Sequence, residues 1–281
     1  MRVIESPRLM QQTAEELRNK GKILAFVPTM GYLHEGHLSL MREGRRRADT
    51  VIASVFVNPT QFGPQEDLAS YPRDFERDCT LMESAEVDIV FHPRAEDMYP
   101  DGFQTYVTVE RVSRPLCGRS RPHHFRGVAT VVTKLFNIVK PHVALFGWKD
   151  FQQVVVIRRM VRDLNFDVEI VGCPIVRESD GLAMSSRNTY LSAEERQEAL
   201  GLKQALDEAR AQVQGGQREA AAILARVREI LSARPGIRID YVEICHPETL
   251  EGIERIEGPA LLAIAAYVGR TRLIDNCLLA E

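Results

Sequence analysis

From about residue 22 to 176 the chain alternates short apolar runs with amphipathic stretches. Ile23–Val27, Val51–Val57, Asp88–Phe91, Val143–Phe146 and Val168–Val171 read as strands. Strands that are apolar on both faces belong in a parallel sheet covered on each side. Residues 36–48 and 72–85 carry helical patterns between them. Val128, Val131, Val132, Leu135, Phe136 and Val139 repeat at helical spacing, as do Phe151, Val154, Val155, Met160, Val161 and Leu164. This alternation predicts an α/β fold with a Rossmann-like, doubly wound parallel sheet.

The pattern changes after Val176. Residues 177–191 are polar and loop-like. Ser192 with Glu195 three positions on forms a capping box that opens a helix, and Gly215-Gly216 breaks it. A second helix is expected over 218–233, followed by strand-like runs at 239–245, 260–268 and 272–276. Two helices and then strands predict a smaller C-terminal α+β domain, so we expect domains at 1–176 and 177–281.

Composition narrows the class of function. Hydrophobic residues make up 44% and charged residues 27% of the 281, as in ordinary globular proteins. A net charge of −3 disfavours a grip on nucleic acid. The five cysteines are odd in number and form no C-x-x-C pair, which points to reduced thiols in a cytoplasmic protein. The N-terminal stretch has no apolar run of the signal-peptide kind. The longest apolar runs, Val51–Val57 and Ala260–Val268, are too short for a bilayer, so no membrane partner is expected.

Four segments carry candidate chemistry. Pro28-Thr29-Met30-Gly31-Tyr32-Leu33-His34-Glu35-Gly36-His37 follows the first predicted strand and opens the first helix. Open α/β sheets bind ligands at the carboxyl ends of their strands, and a helix N-terminus favours phosphate. His34 and His37 are three apart, on one face of a helical turn, where imidazoles can donate to phosphate oxygens. Gly31 and Gly36 allow close backbone approach. The alternative is a turn glycine with two capping histidines. A zinc site is the weaker reading, because no third ligand stands at metal-site spacing.

Asn58-Pro59-Thr60-Gln61-Phe62 ends the second strand. Gln61 can hydrogen-bond a small polar substrate, or the segment can be a simple Asn-Pro turn. Phe146-Gly147-Trp148-Lys149-Asp150-Phe151-Gln152-Gln153 again joins strand to helix. Lys149 suits phosphate, while Asp150 with Gln153 also fits a capping box. Met184-Ser185-Ser186-Arg187-Asn188 offers hydroxyls and a guanidinium for a pyrophosphate, or is a solvated linker. Arg45-Arg46-Arg47 reads as a solvated helix end. The cation-rich stretch Gly118–Gly127 leaves an anion site and a subunit contact both open.

Together PTMGYLHEGH, NPTQF, FGWKDFQQ and MSSRN, with YPRDFERD, HHFRGVATVV and RLIDN, resemble the pantoate–β-alanine ligase family in order and spacing from about residue 2 to 278. H-x-G-H alone marks only the wider nucleotidyltransferase-like superfamily. The resemblance implies adenylation of (R)-pantoate by Mg-ATP, then attack of β-alanine on the pantoyl adenylate. ATP would lie along Pro28, Met30, Gly31, Tyr32, Leu33, His34, Glu35, Gly36 and His37. Gly147, Trp148, Lys149, Asp150, the Val176 backbone and Met184, Ser185, Ser186 and Arg187 would complete its site. His37, His34, Lys149 and Arg187 would be catalytic, with His37 the proton donor. Gln61 would hold pantoate and β-alanine, and Gln153 pantoate. Mg2+ would travel on the ATP phosphates, with no protein ligands assigned. A homodimer with a C-terminal lid is also implied.

Trp148, His123 and Tyr32 depart from the family's usual residues. Two other classes of function compete. A nucleotidyltransferase acting on a phosphorylated acceptor shares H-x-G-H but has no need of Gln61 and Gln153. A silent nucleotide sensor is opposed by the intact His34, His37, Lys149 and Arg187.

Overall fold

The computed structural model describes residues 1–64 and 66–280. The chain divides into two compact units. One holds residues 1–110, 121–148 and 156–174; the other holds 111–120, 149–155 and 175–281.

The first unit is built on six strands: β1 (Arg2–Ile4), β2 (Leu24–Thr29), β3 (Thr50–Val55), β4 (Ile89–Phe91), β5 (Val143–Gly147) and β6 (Glu169–Cys173). Their order is β1-β4-β3-β2-β5-β6, and every pairing is parallel. The chain walks outward from β2 through β3 to β4, then crosses back to β5 and β6. The order therefore reverses between β2 and β5, and the crevice of such a sheet opens at the carboxyl ends of those two strands.

Alternation along β2 shows how the sheet is covered. Ala25 and Val27 pack in one core cluster with residues of α2 (Glu35–Arg47) and α3 (Phe75–Ser84). Leu24 and Phe26, wholly buried, face the other side, where α1 (Pro7–Asn19) and α6 (His124–Val139) contact β2 and each other. The short helices α4 (Ala95–Met98) and α5 (Cys117–Ser120) lie between α3 and α6 in sequence, and α7 (Phe151–Asp163) follows β5.

The second unit has α8 (Ala193–Gln214), α9 (Ala220–Ser232) and an antiparallel sheet in the order β7 (Ile237–Cys245), β8 (Ala260–Val268), β9 (Thr271–Ala280). Ser192 caps α8 with the reciprocal Glu195 bond that its spacing predicts. Leu202, Leu206, Ile223 and Val227 of the helices pack on Val242, Ile264 and Leu273 of the strands. All five cysteines are unpaired. No helix among the described residues is long and apolar enough to cross a membrane.

Candidate active site

At the carboxyl end of β2 the chain makes a strained turn. Gly31 has φ +84° and Tyr32, with a side chain, has φ +50°. A buried carboxylate holds the turn: the Tyr32 and Leu33 amides each donate to Asp78 at 2.7 Å. A Cβ on Gly31 would stand 3.0 Å from Asp78 Oδ2 and from Val55, tighter than ordinary contact, and a side chain there would also be strained at this positive φ. Burial pushes the Asp78 carboxyl above its usual range, and the two amide bonds oppose that shift.

The turn delivers His34 to the N-cap of α2. His34 Nδ1 accepts the Gly36 N–H at 3.1 Å, and His37 Nδ1 accepts the His34 N–H at 3.3 Å. The ring centroids are 4.1 Å apart. An Nδ1 that accepts carries no proton, so each neutral ring keeps its proton on Nε2. The caps thus occupy Nδ1 of both rings and fix the tautomer that makes each Nε2 a donor.

Gln61 closes the next strand's turn, itself 9% exposed. Asn58, buried, donates from Nδ2 to Gln61 Oε1 at 3.0 Å and to the Gly127 carbonyl at 3.2 Å. The Tyr99 hydroxyl donates to Asn58 Oδ1 at 2.8 Å, which fixes the asparagine amide in turn. Gln61 Nε2 is left as donor and lies 3.1 Å from Met30 Sδ. His124 Nδ1 and Arg121 hold the Gln61 carbonyl at 3.0 and 3.3 Å. Gly127 passes so close that a Cβ there would lie 2.4 Å from the Thr60 carbonyl oxygen.

The cation-rich stretch, left open by sequence, is committed to internal partners. Arg121 pairs with Glu66, Arg119 with Glu243, and Arg126 lies 3.7 Å over the Tyr106 ring.

A family model for pantoate–β-alanine ligases matches residues 2–278. The chain belongs to this family. It is 61% identical over 279 residues to the pantothenate synthetase of Syntrophobacter fumaroxidans, covering 99% of each chain. To that of Geobacter sulfurreducens it is 59% identical over 281 residues, covering 100% of this chain and 99% of the relative. Among solved structures, the Thermus thermophilus pantothenate synthetase superposes with a TM-score of 0.95 at 48% identity over the whole of both chains. The Francisella tularensis ligase, complexed with beta-gamma ATP and beta-alanine, gives 0.81 at 32% identity, covering 99% of this chain and 98% of that one.

Membership in this family makes the protein a ligase, and the remaining expected site residues lie at the end of β5 and in the second unit. Gly147 ends β5, and Trp148 packs within the first unit: Arg158 stacks 4.7 Å from its ring, and a Cβ on Gly172 would collide with its indole. Glycine at 172 is what admits a tryptophan at 148.

Lys149 and Asp150 lie in a one-turn 3-10 helix and approach each other at 3.9 Å. Gln152 is buried, donates to the Val112 and Pro115 carbonyls at 3.0 and 2.7 Å, and accepts the Cys117 amide at 3.0 Å. Gln153 is half-buried. The Val176 carbonyl accepts the Met184 amide at 3.0 Å, closing the base of a hairpin whose return strand enters the 184–187 segment. Ser185 caps the 3-10 turn Ser186–Tyr190 by accepting the Arg187 amide at 3.2 Å. Asn188 ties that turn back to Glu178 at 2.6 Å and to the Ala183 carbonyl at 3.1 Å.

The expected residues therefore fall into two internally ordered groups. Pro28, Met30–His37, Gln61, Gly147 and Trp148 belong to the first unit; Lys149, Asp150, Gln153, Val176 and Met184–Arg187 belong to the second. Asp78 and Tyr99 are residues that sequence reasoning passed over, and Asn58 reads in the sequence only as a turn former. Asp78 sits in the quoted YPRDFERD stretch, but nothing local shows that its partners lie 45 and 46 positions earlier.

Proposed function

We propose that this ligase joins (R)-pantoate to β-alanine through a pantoyl adenylate. A pantoate carboxylate oxygen attacks the α-phosphorus of Mg-ATP, and the bond to pyrophosphate breaks. The β-alanine nitrogen then attacks the acyl carbon, loses a proton and expels AMP. The observation that carries this reading is the pair of imidazoles at the β2 switch-point turn, each locked with its proton on Nε2. Two fixed donors there suit the charge that grows on the phosphates in the transition state.

His34, His37, Lys149 and Arg187 take the catalytic positions, with His37 donating a hydrogen bond from Nε2 to the departing phosphates. ATP is held by Pro28, Met30–His37, Gly147–Asp150, Val176 and Met184–Arg187. Gln61, whose Nε2 is presented as a donor, binds pantoate and β-alanine, and Gln153 binds pantoate. Mg2+ commonly binds through substrate phosphates. Mg2+ therefore enters as part of the Mg-ATP substrate, where it neutralises phosphate charge. Residues 1–176 serve as the ATP and pantoate domain and 177–281 as the lid of a cytoplasmic homodimer. The bound ligands of the Francisella relative support ATP and β-alanine as substrates.

ATP–pyrophosphate exchange tests the reading. Exchange requires pantoate, and AMP release requires β-alanine as well. Exchange without any carboxylic acid, or a stable nucleotide-linked product, would instead favour a nucleotidyltransferase.

A further inference from the structure

The RLIDN stretch, Arg272–Asn276, lies in β9, remote in sequence from every expected ATP residue. Leu273 and Cys277 belong to the hydrophobic core of the second unit. Asp275 and Asn276 do not, yet they are only 3% and 6% exposed. Burying a carboxylate and an amide is costly unless each is paired, so their partners explain why they are there.

Those partners are the Lys149 carbonyl and Arg177, the residue after Val176 in the hairpin that leads to Met184. Asn276 Nδ2 donates to the Lys149 carbonyl at 3.0 Å. Asp275 takes Arg177 in a two-pronged pair at 2.7 and 3.0 Å, and Arg177 Nη1 also donates to the Gly181 carbonyl at 3.1 Å. Arg177 in turn bridges Ala183 across the hairpin that leads into Met184–Arg187. Consecutive strand residues point to opposite faces, so two neighbours can reach two separate segments. The Asp275 carboxylate also accepts the Asn276 amide at 2.8 Å, which couples the two anchors.

We propose that Asp275 and Asn276 are positioning residues that set the backbone of the Lys149 turn and of the 177–187 hairpin for nucleotide binding. The proposal rests on the reading that those segments bind ATP. A role confined to stability would lower folding and all kinetic parameters together. A positioning role acts on ATP selectively and through Lys149.

Steady-state kinetics on the full-length enzyme, with each substrate varied in turn, separate the two. Asn276→Leu is expected to raise KM for ATP about five- to tenfold, the size of one hydrogen bond. KM for pantoate and Tm are expected to stay near those of the parent enzyme. In a Lys149→Ala background the Asn276→Leu effect is expected to shrink, because the carbonyl that Asn276 holds remains but the ammonium that the turn positions is gone. Should Asn276→Leu not fold, Asn276→Asp keeps the size, turns the donor into an acceptor, and reads the same KM. An unchanged KM for ATP in the folded variant, or the same loss in both backgrounds, overturns the proposal. If Lys149→Ala itself leaves KM for ATP unchanged, the ATP reading falls and takes the proposal with it. If Lys149→Ala raises KM and Asn276→Leu does not, the proposal alone falls.

Discussion

Replacing Asp78 with asparagine tests whether one buried carboxylate sets the geometry of the H-x-G-H turn. The carboxylate accepts two amides at 2.7 Å each, and Tyr32 sits at φ +50° in between. A left-handed residue with a side chain costs about 1–2 kcal/mol, so the turn relaxes when its restraints go. Asparagine keeps one acceptor but turns an NH2 group toward the other amide. A hydrogen bond to a charged group is worth about 1.5–3 kcal/mol, and a buried unpaired donor costs a similar amount. We therefore expect the turn to lose about 2–3 kcal/mol of support.

At 1.4 kcal/mol per factor of ten, that is about a 30- to 150-fold fall in kcat/KM for ATP. Stability should change less, because asparagine also removes a charge that burial disfavours. AMP formation with pantoate and β-alanine saturating gives the rate, and calorimetry gives Tm. A folded Asp78→Asn enzyme that keeps kcat/KM for ATP within about twofold would refute the reasoning.

Two further outcomes follow from close contacts in the first unit. Gly127→Ala places a methyl 2.4 Å from the Thr60 carbonyl and 2.6 Å from the Gln61 backbone, so one chain must move. We expect a loss of about 2–3 kcal/mol in urea unfolding and a raised KM for pantoate, with KM for ATP much less affected. His142 accepts the Leu24 amide at Nδ1 at 3.0 Å, and burial, helped by Arg18, lowers its pKa below the ordinary 6.5. The unfolded chain therefore takes up the proton first. The stabilisation is complete above pH 6.5 and is lost as pH falls from there toward the folded value. Tm of the parent enzyme should drop more on acidification than Tm of His142→Asn, and parallel curves would contradict the assignment.

The parallel sheet was legible because its interior strands are apolar on both faces; Val51–Val55 and Leu24–Val27 are wholly or almost wholly buried. The first two elements were not. β1 is three residues at the sheet edge with two of them exposed, and α1 buries only Met10, Thr13 and Ala14, too sparse a stripe to stand out. The H-x-G-H, Gln61 and Lys149 segments could be found because each adjoins a recognisable strand end. Their supports could not. Asn58 looks like a turn former in sequence, and only the fold shows its amide reaching both Gln61 and Gly127. Gln152 illustrates the same limit: in FGWKDFQQ the two glutamines are equivalent by type, yet Gln152 is spent on the 112–117 backbone.

The histidines show why a capping role and a chemical role need not compete. In α2 the Gly36 amide, which a helix N-terminus would ordinarily offer to an anion, is given to His34 Nδ1. If a phosphate binds here, its donor is the ring Nε2 in place of that amide. Asparagine and glutamine separate the two functions at position 37. His37→Asn has an acceptor near the Nδ1 position and can keep the bond to the His34 amide, but offers nothing where Nε2 was. His37→Gln reaches outward with its amide and gives up the cap, at a cost of about 1 kcal/mol. If the outer donor serves the phosphates, His37→Asn keeps its Tm and loses about 100-fold or more in turnover, the usual cost of one transition-state donor. His37→Gln shows the reverse: a lower Tm and a larger share of the activity. Full turnover in His37→Asn would mean that the rings only start the helix, and the phosphates would then have to be held by other groups.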